Sequence, residues 1–180
     1  MISVRLIFPG AILGAALLVA GCHSKTEASP ANFITALNAR FVDHPQCLMP
    51  DAPRFPFETT DEEKTKQMDA LAAAQLLDVK KGTLLKVSRY TTTAVGALAA
   101  PRFCYGHRKV TSIDSFTPTA VANGFPETQV VYTYEMKDVP VWAKTPEVQA
   151  AFPEMAKAIA APGTDKATLA KTMAGWSVPE

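Results

Sequence analysis

The sequence predicts an α+β domain in which a small antiparallel sheet or hairpin packs against several helices. Two observations carry this reading. Residues 128–137 alternate strictly, with Val130, Tyr132, Tyr134 and Met136 on one face and Val131, Thr133, Glu135 and Lys137 on the other. A period of two is a strand. Elsewhere apolar residues recur three and four apart: Phe33, Leu37 and Phe41; Met68, Leu71, Ala72 and Leu76; Val148, Phe152, Met155 and Ile159. That spacing lays a stripe along one face of a helix. At 180 residues and 19.3 kDa the chain fits one domain with an appendage.

The elements follow in order. Residues 32–44 form a helix that Pro45 ends. Pro50, Pro53 and Pro56, with Phe55 and Phe57 between and after them, form an extended strap whose rings pin it to the core. The alternative for this strap is a proline-rich partner site. Thr60 and Glu63 make a capping box for a helix running to about Leu77. Gly82 marks a turn, and Leu84 to Tyr90 reads as a strand with Leu85 and Val87 alternating. Thr91 to Ala99 is a short helix or loop around Gly96.

Phe103–Gly106 and Lys109–Phe116 are strand candidates, and Pro118–Glu127, containing Asn123-Gly124, is the hairpin loop leading into 128–137. Pro140 and Trp142 close that strand. The C-terminal third reads as helical. Thr145-Pro146 opens it, Pro153 kinks it and Pro162-Gly163 breaks it. Thr164 then caps a last helix carrying Leu169 and Met173, and Trp176 folds back onto the core. There is no internal repeat.

The first 22 residues give an address. Met1–Arg5 carries one positive charge, and Leu6–Ala20 is apolar throughout. These 15 residues would span only about 22 Å as a helix, short of the roughly 30 Å hydrocarbon core, so they read as a signal peptide. The segment ends in Val19-Ala20-Gly21-Cys22, which resembles the lipobox of bacterial lipoproteins. The resemblance implies that residues 1–21 are cleaved and that Cys22 carries a thioether-linked diacylglycerol. Its freed amine would be acylated, as with palmitate. Residues 22–31 are then a lipidated flexible tether, and 32–180 a single globular domain. His23, rather than Asp, follows the cysteine. In enteric-type lipoproteins this favours the outer membrane, facing the periplasm.

Charge narrows the partners. The whole chain carries a net +1, without the basic excess of a nucleic-acid binder. Cleavage removes Arg5 alone of the 18 basic side chains and none of the 17 acidic ones. The mature protein is neutral, so the lipid and not charge would hold it to a membrane.

Cys47 and Cys104 remain. In an oxidising compartment they read as one disulfide. Two alternatives stay open: free thiols, or a zinc site formed by His44, Cys47, Cys104 and His107. A disulfide and a metal site exclude each other at these sulfurs. Asp43-His44 beside Cys47, and His107 with Ser112 and Asp114, sketch acid–base groups of low specificity. The chain lacks Gly-x-Ser-x-Gly, phosphate-cradling and His-Glu-x-x-His motifs, and no cofactor is expected. Tyr132, Tyr134 and Trp142, with Tyr105, are the candidate binding residues, because amphipathic aromatics suit interfaces.

The order of capped helix, leucine-rich helix end, strand and long hairpin over residues 60–137 is similar to a winged helix. In that family the helix reads DNA with basic residues. Residues 61–77 instead carry Asp61, Glu62, Glu63 and Asp69 against Lys64 and Lys66, a net −2. The expected function is therefore a non-enzymatic structural or partner-binding role in the cell envelope. The partner is an unknown envelope protein and not nucleic acid. The alternative is zinc binding or a small periplasmic hydrolytic activity.

Overall fold

A computed structural model describes residues 24–82 and 87–179. The signal segment, Cys22, and Leu84 and Leu85 of the expected strand lie outside the described residues. α1 spans Pro30–Asp43 and starts earlier than the apolar stripe suggests. Ser29 accepts the Asn32 N–H as N-cap, and Pro30 sits at the first helical position, where its missing N–H costs nothing. The residues before the cap are held as well. The Asn32 side-chain amide donates to the Ser24 and Glu27 carbonyls, both at 2.9 Å, and the Trp176 indole donates to Glu27 at 2.9 Å. Residues 24–31, expected to be flexible, are thus tied to the domain.

β1 (Gln46–Cys47) follows, then β2 (Phe57–Thr59) and α2 (Glu62–Ala73). The N-cap of α2 is Asp61, not Thr60: its carboxylate takes the Lys64 N–H at 2.8 Å. A charged acceptor competes better for the same orphan N–H groups. Thr59 instead accepts the Asp61 N–H. The helix stops at Ala73, short of Leu77. Gln75 takes a positive φ of 62°, and β3 (Leu77–Lys81) begins two residues later. β4 (Ser88–Thr92) pairs with both β2 and β3, giving a three-stranded sheet of order β2-β4-β3.

The fit of Gly96 fixes the next turn, Gly96–Leu98: a Cβ there would lie 1.7 Å from the Leu76 carbonyl oxygen. β5 (Cys104–Phe116) is one continuous strand where the sequence suggested two. β6 (Ala120–Ala122) and β7 (Phe125–Lys137) follow, joined by Asn123-Gly124 with φ of 52° and 81°. Positive φ at both central residues is what a type I′ hairpin turn requires. After a short 3₁₀ turn, Val141–Lys144, come α3 (Pro146–Ala151) and α4 (Pro153–Ala160), which Phe152 and Pro153 separate.

The last expected helix is a strand. β8 (Gly163–Thr172) pairs antiparallel with β7 from Tyr134–Gly163 to Glu127–Ala170, and β9 (Gly175–Ser177) pairs with β8. The spacing of Leu169 and Met173 fits a helix, but Thr164, Thr168 and Thr172 suit a sheet, and the free edge of β7 supplies the partner. The large sheet has the order β1-β5-β7-β8-β9, with β6 also on β7.

Two buried clusters form. Phe33 and Leu37 of α1 pack on Val110, Val130, Tyr132, Leu169 and Trp176 of the large sheet. Trp176 thus folds back onto the core, as expected. Asn38 clamps the interface: its amide oxygen accepts the Val110 N–H at 2.8 Å, beside a β-bulge in β5. The other cluster joins Met68, Leu71, Leu76, Leu77, Tyr90 and Phe103 to Val148 and Met155 of α3 and α4. Phe55 and Phe57 of the strap pack against it. The fold is α+β. α2 and the small sheet lie in the second cluster, whereas the long hairpin belongs to the large sheet under α1.

Candidate functional site

Length mismatch creates the site. α1 has 14 residues, about 21 Å, while β7 has 13 residues, about 43 Å. The helix therefore covers only part of the strand. Val130 and Tyr132 are buried beneath it; Tyr134 and Met136, further along the same face, are not fully covered. Pro45 prevents α1 from continuing over them. α4 approaches from the other side, leaving a cleft of about 470 Å³ between sheet and helix.

The floor of the cleft is Tyr105, Arg108 and Tyr134, and its far wall carries Glu154 and Lys157 of α4. Arg108 is the fixed point. Its guanidinium donates to Asp165 at 2.6 Å and lies 4.5 Å from the Tyr134 ring centroid and 5.7 Å from that of Phe41. A planar cation held between two rings and a carboxylate has little rotational freedom left. Burial works against its charge, but Asp165 and the two tyrosines outweigh this and hold the Arg108 pKa above its ordinary value. Burial likewise pushes the Asp165 carboxyl up, yet the Lys166 N–H and Arg108 together keep it below the usual range. Burial raises the Tyr105 and Tyr132 hydroxyls. Gly163, paired with Tyr134 across the ladder, makes room for the ring: a Cβ there would sit 2.7 Å from it.

Cys47 and Cys104 face each other on β1 and β5 and are joined by a disulfide of 2.05 Å. The zinc reading of His44, Cys47, Cys104 and His107 is corrected by this bond, because oxidised sulfurs have no thiolate to offer a metal. Among the described residues no group of three or more His, Cys, Asp or Glu is placed to hold a metal. His44 is the exposed C-cap residue of α1. The His107 ring faces Asp138 at 3.3 Å, while Asp114 accepts from Ser112 and Thr133 instead. The acid–base sketches at Asp43-His44 and His107 therefore do not assemble.

No family model, no curated protein and no solved structure matches this chain. The site has to speak through its own chemistry. Of the aromatic candidates, the structure brings Tyr132 and Tyr134 together, with centroids 6.1 Å apart, and places Tyr105 beside Tyr134 in the cleft. Trp142 packs against the other cluster and is not part of the cleft. Arg108 and Asp165 were missed by sequence reasoning. Arg108 shares the inward face with Val110, and a charge on a buried face was the available signal. Asp165 gave none, since its segment read as helix.

Two cations, Arg108 and Lys157, and two anions, Glu154 and Asp165, balance around the cleft. With tyrosine hydroxyls and flat rings, such walls suit a polar peptide segment better than a polyanion. Among the described residues, the cleft lining carries no histidine or cysteine that could serve as base or nucleophile.

Proposed function

We propose that this chain is a lipid-anchored protein of the bacterial cell envelope that binds a partner protein and has a non-enzymatic role. The observation that carries the anchoring is Val19-Ala20-Gly21-Cys22 at the end of a short apolar leader. The disulfide Cys47–Cys104 is consistent with an exported, oxidised protein. No helix among the described residues is long and apolar enough to cross a membrane. The outer membrane, facing the periplasm, is the proposed site, on the strength of His23 after the cysteine. The partner surface is the cleft of Tyr105, Arg108 and Tyr134, with Tyr132 packed beside Tyr134.

The winged-helix likeness of residues 60–137 stays in this proposal as an order of elements only: the long hairpin pairs in the large sheet, whereas β3 and β4 pair in the small one. The acidic α2 gives no reason to extend it to DNA.

Two measurements test the reading. Intact mass of the membrane-purified protein should equal residues 22–180 plus acyl chains; the mass of the unmodified 180-residue chain would overturn anchoring. A photo-crosslinking residue at Tyr105 in living cells should capture one dominant envelope protein. Capture that is unchanged by Arg108→Ala would remove the cleft as the partner surface.

A further inference from the structure

The end of the large sheet nearest the N-terminal segment is apolar and uncovered. Two turns meet there, Asn123-Gly124 and Met173-Ala174, because Glu127 pairs with Ala170 on antiparallel strands. Around them Val121 is 78% exposed, Phe125 53% and Phe116 43%, and Met173 stands fully in solvent. The first described residues reach the same end: the Lys25 carbonyl oxygen lies 3.2 Å from where a Gly175 Cβ would be. The hydrogen bonds from Asn32 and Trp176 hold Ser24 to Glu27 in that position.

We infer that this end is a membrane-contact surface, with Val121, Phe125 and Met173 entering the interfacial layer of the bilayer that holds the Cys22 lipid. The inference rests on the anchoring proposed above. Only two peptide units separate Ser24 from Cys22, at most about 7 Å of chain. A link that short, joined to a segment fixed on the domain, leaves little freedom to present another surface to the lipid. Among the described residues the charges beside these turns balance, Lys25 and Lys171 against Glu27 and Glu127. Contact is therefore apolar, and lipid charge is not required. The strands then stand away from the membrane. Tyr134 lies nine residues along β7 from Phe125, about 30 Å, so the cleft opens on the side remote from the lipid.

The test uses the full chain, expressed in bacteria and purified from membranes. Met173→Cys and Val121→Cys are labelled with an environment-sensitive fluorophore, as is Val141→Cys. Val141 is exposed just past the opposite end of β7. All three positions are exposed, so the fold tolerates them. Each protein is reconstituted into phosphatidylcholine vesicles containing nitroxide-labelled lipid. Quenching at 173 and 121 should exceed that at 141 several-fold and persist in high salt. Intact mass is read in parallel. A lipidated chain whose label at 173 is quenched no more than that at 141 overturns the docked orientation alone. A chain without lipid overturns the anchoring, and this inference with it.

Discussion

Opening the Cys47–Cys104 bond should cost this protein a large share of its stability. The two cysteines are 57 positions apart. Chain-entropy reasoning assigns a loop of that length about 4 kcal/mol at 25 °C, through restriction of the unfolded chain. The folded state does not need the bond for pairing. Leu48 donates to Phe103, and Met49 to Arg102, so the ladder that closes the excursion 48–103 continues past the cysteines. Cys47→Ser with Cys104→Ser should therefore keep a native far-UV spectrum while losing stability. Urea unfolding measures this. With a slope of about 2 kcal/mol per molar, the midpoint should fall by roughly 2 M. Reductant added to the parent should reproduce the shift. A midpoint within about 0.5 M of the parent would refute the reasoning, showing that residual structure in the unfolded chain already closes the loop.

Three further outcomes are expected. Gly96→Ala drives a methyl into the Leu76 carbonyl and should cost about 3 kcal/mol or more by thermal or urea unfolding; a loss under 1 kcal/mol would mean the backbone gives way easily there. Tyr90 is fully buried, and burial first, then its hydrogen bond to Asp69, raises its pKa from 10.0 to about 12. The folded state thus holds this proton more tightly than the unfolded one. That stability is complete below about pH 10 and is lost as pH rises towards 12, up to about 3 kcal/mol, so Tyr90→Phe should flatten this alkaline arm of a stability–pH curve; an unchanged arm would assign it to other groups. Arg108→Ala leaves Asp165 without its cation and Tyr134 without its stacked partner, and should cost roughly 1 kcal/mol in unfolding while abolishing partner capture through the cleft; binding retained at full strength would count against the site.

Much of the fold was legible because its signals are local. The alternation at Val130, Tyr132 and Tyr134, the Asn123-Gly124 turn, the stripe of Phe33, Leu37 and Phe41 and the break at Pro153 each depend on residues a few positions apart. The disulfide was one of three readings the sequence left open for Cys47 and Cys104, and the pairing of β1 with β5 decides it. The end of α2 was misplaced because Leu76 and Leu77 continue its apolar spacing, although they are buried outside the helix. β8 was misread because a four-residue apolar interval is compatible with either period.

The cleft belongs to a different level. The sequence determined which stretches are amphipathic and where they break. Tertiary structure decided that Arg108 and Asp165, 57 residues apart, meet over Tyr134, that Trp142 does not join them, and that two distant turns share one end of the sheet. Local patterns record which face of a segment avoids water. Which segments then lie side by side is set by strand register and the relative lengths of helix and strand, and those are properties of the assembled chain.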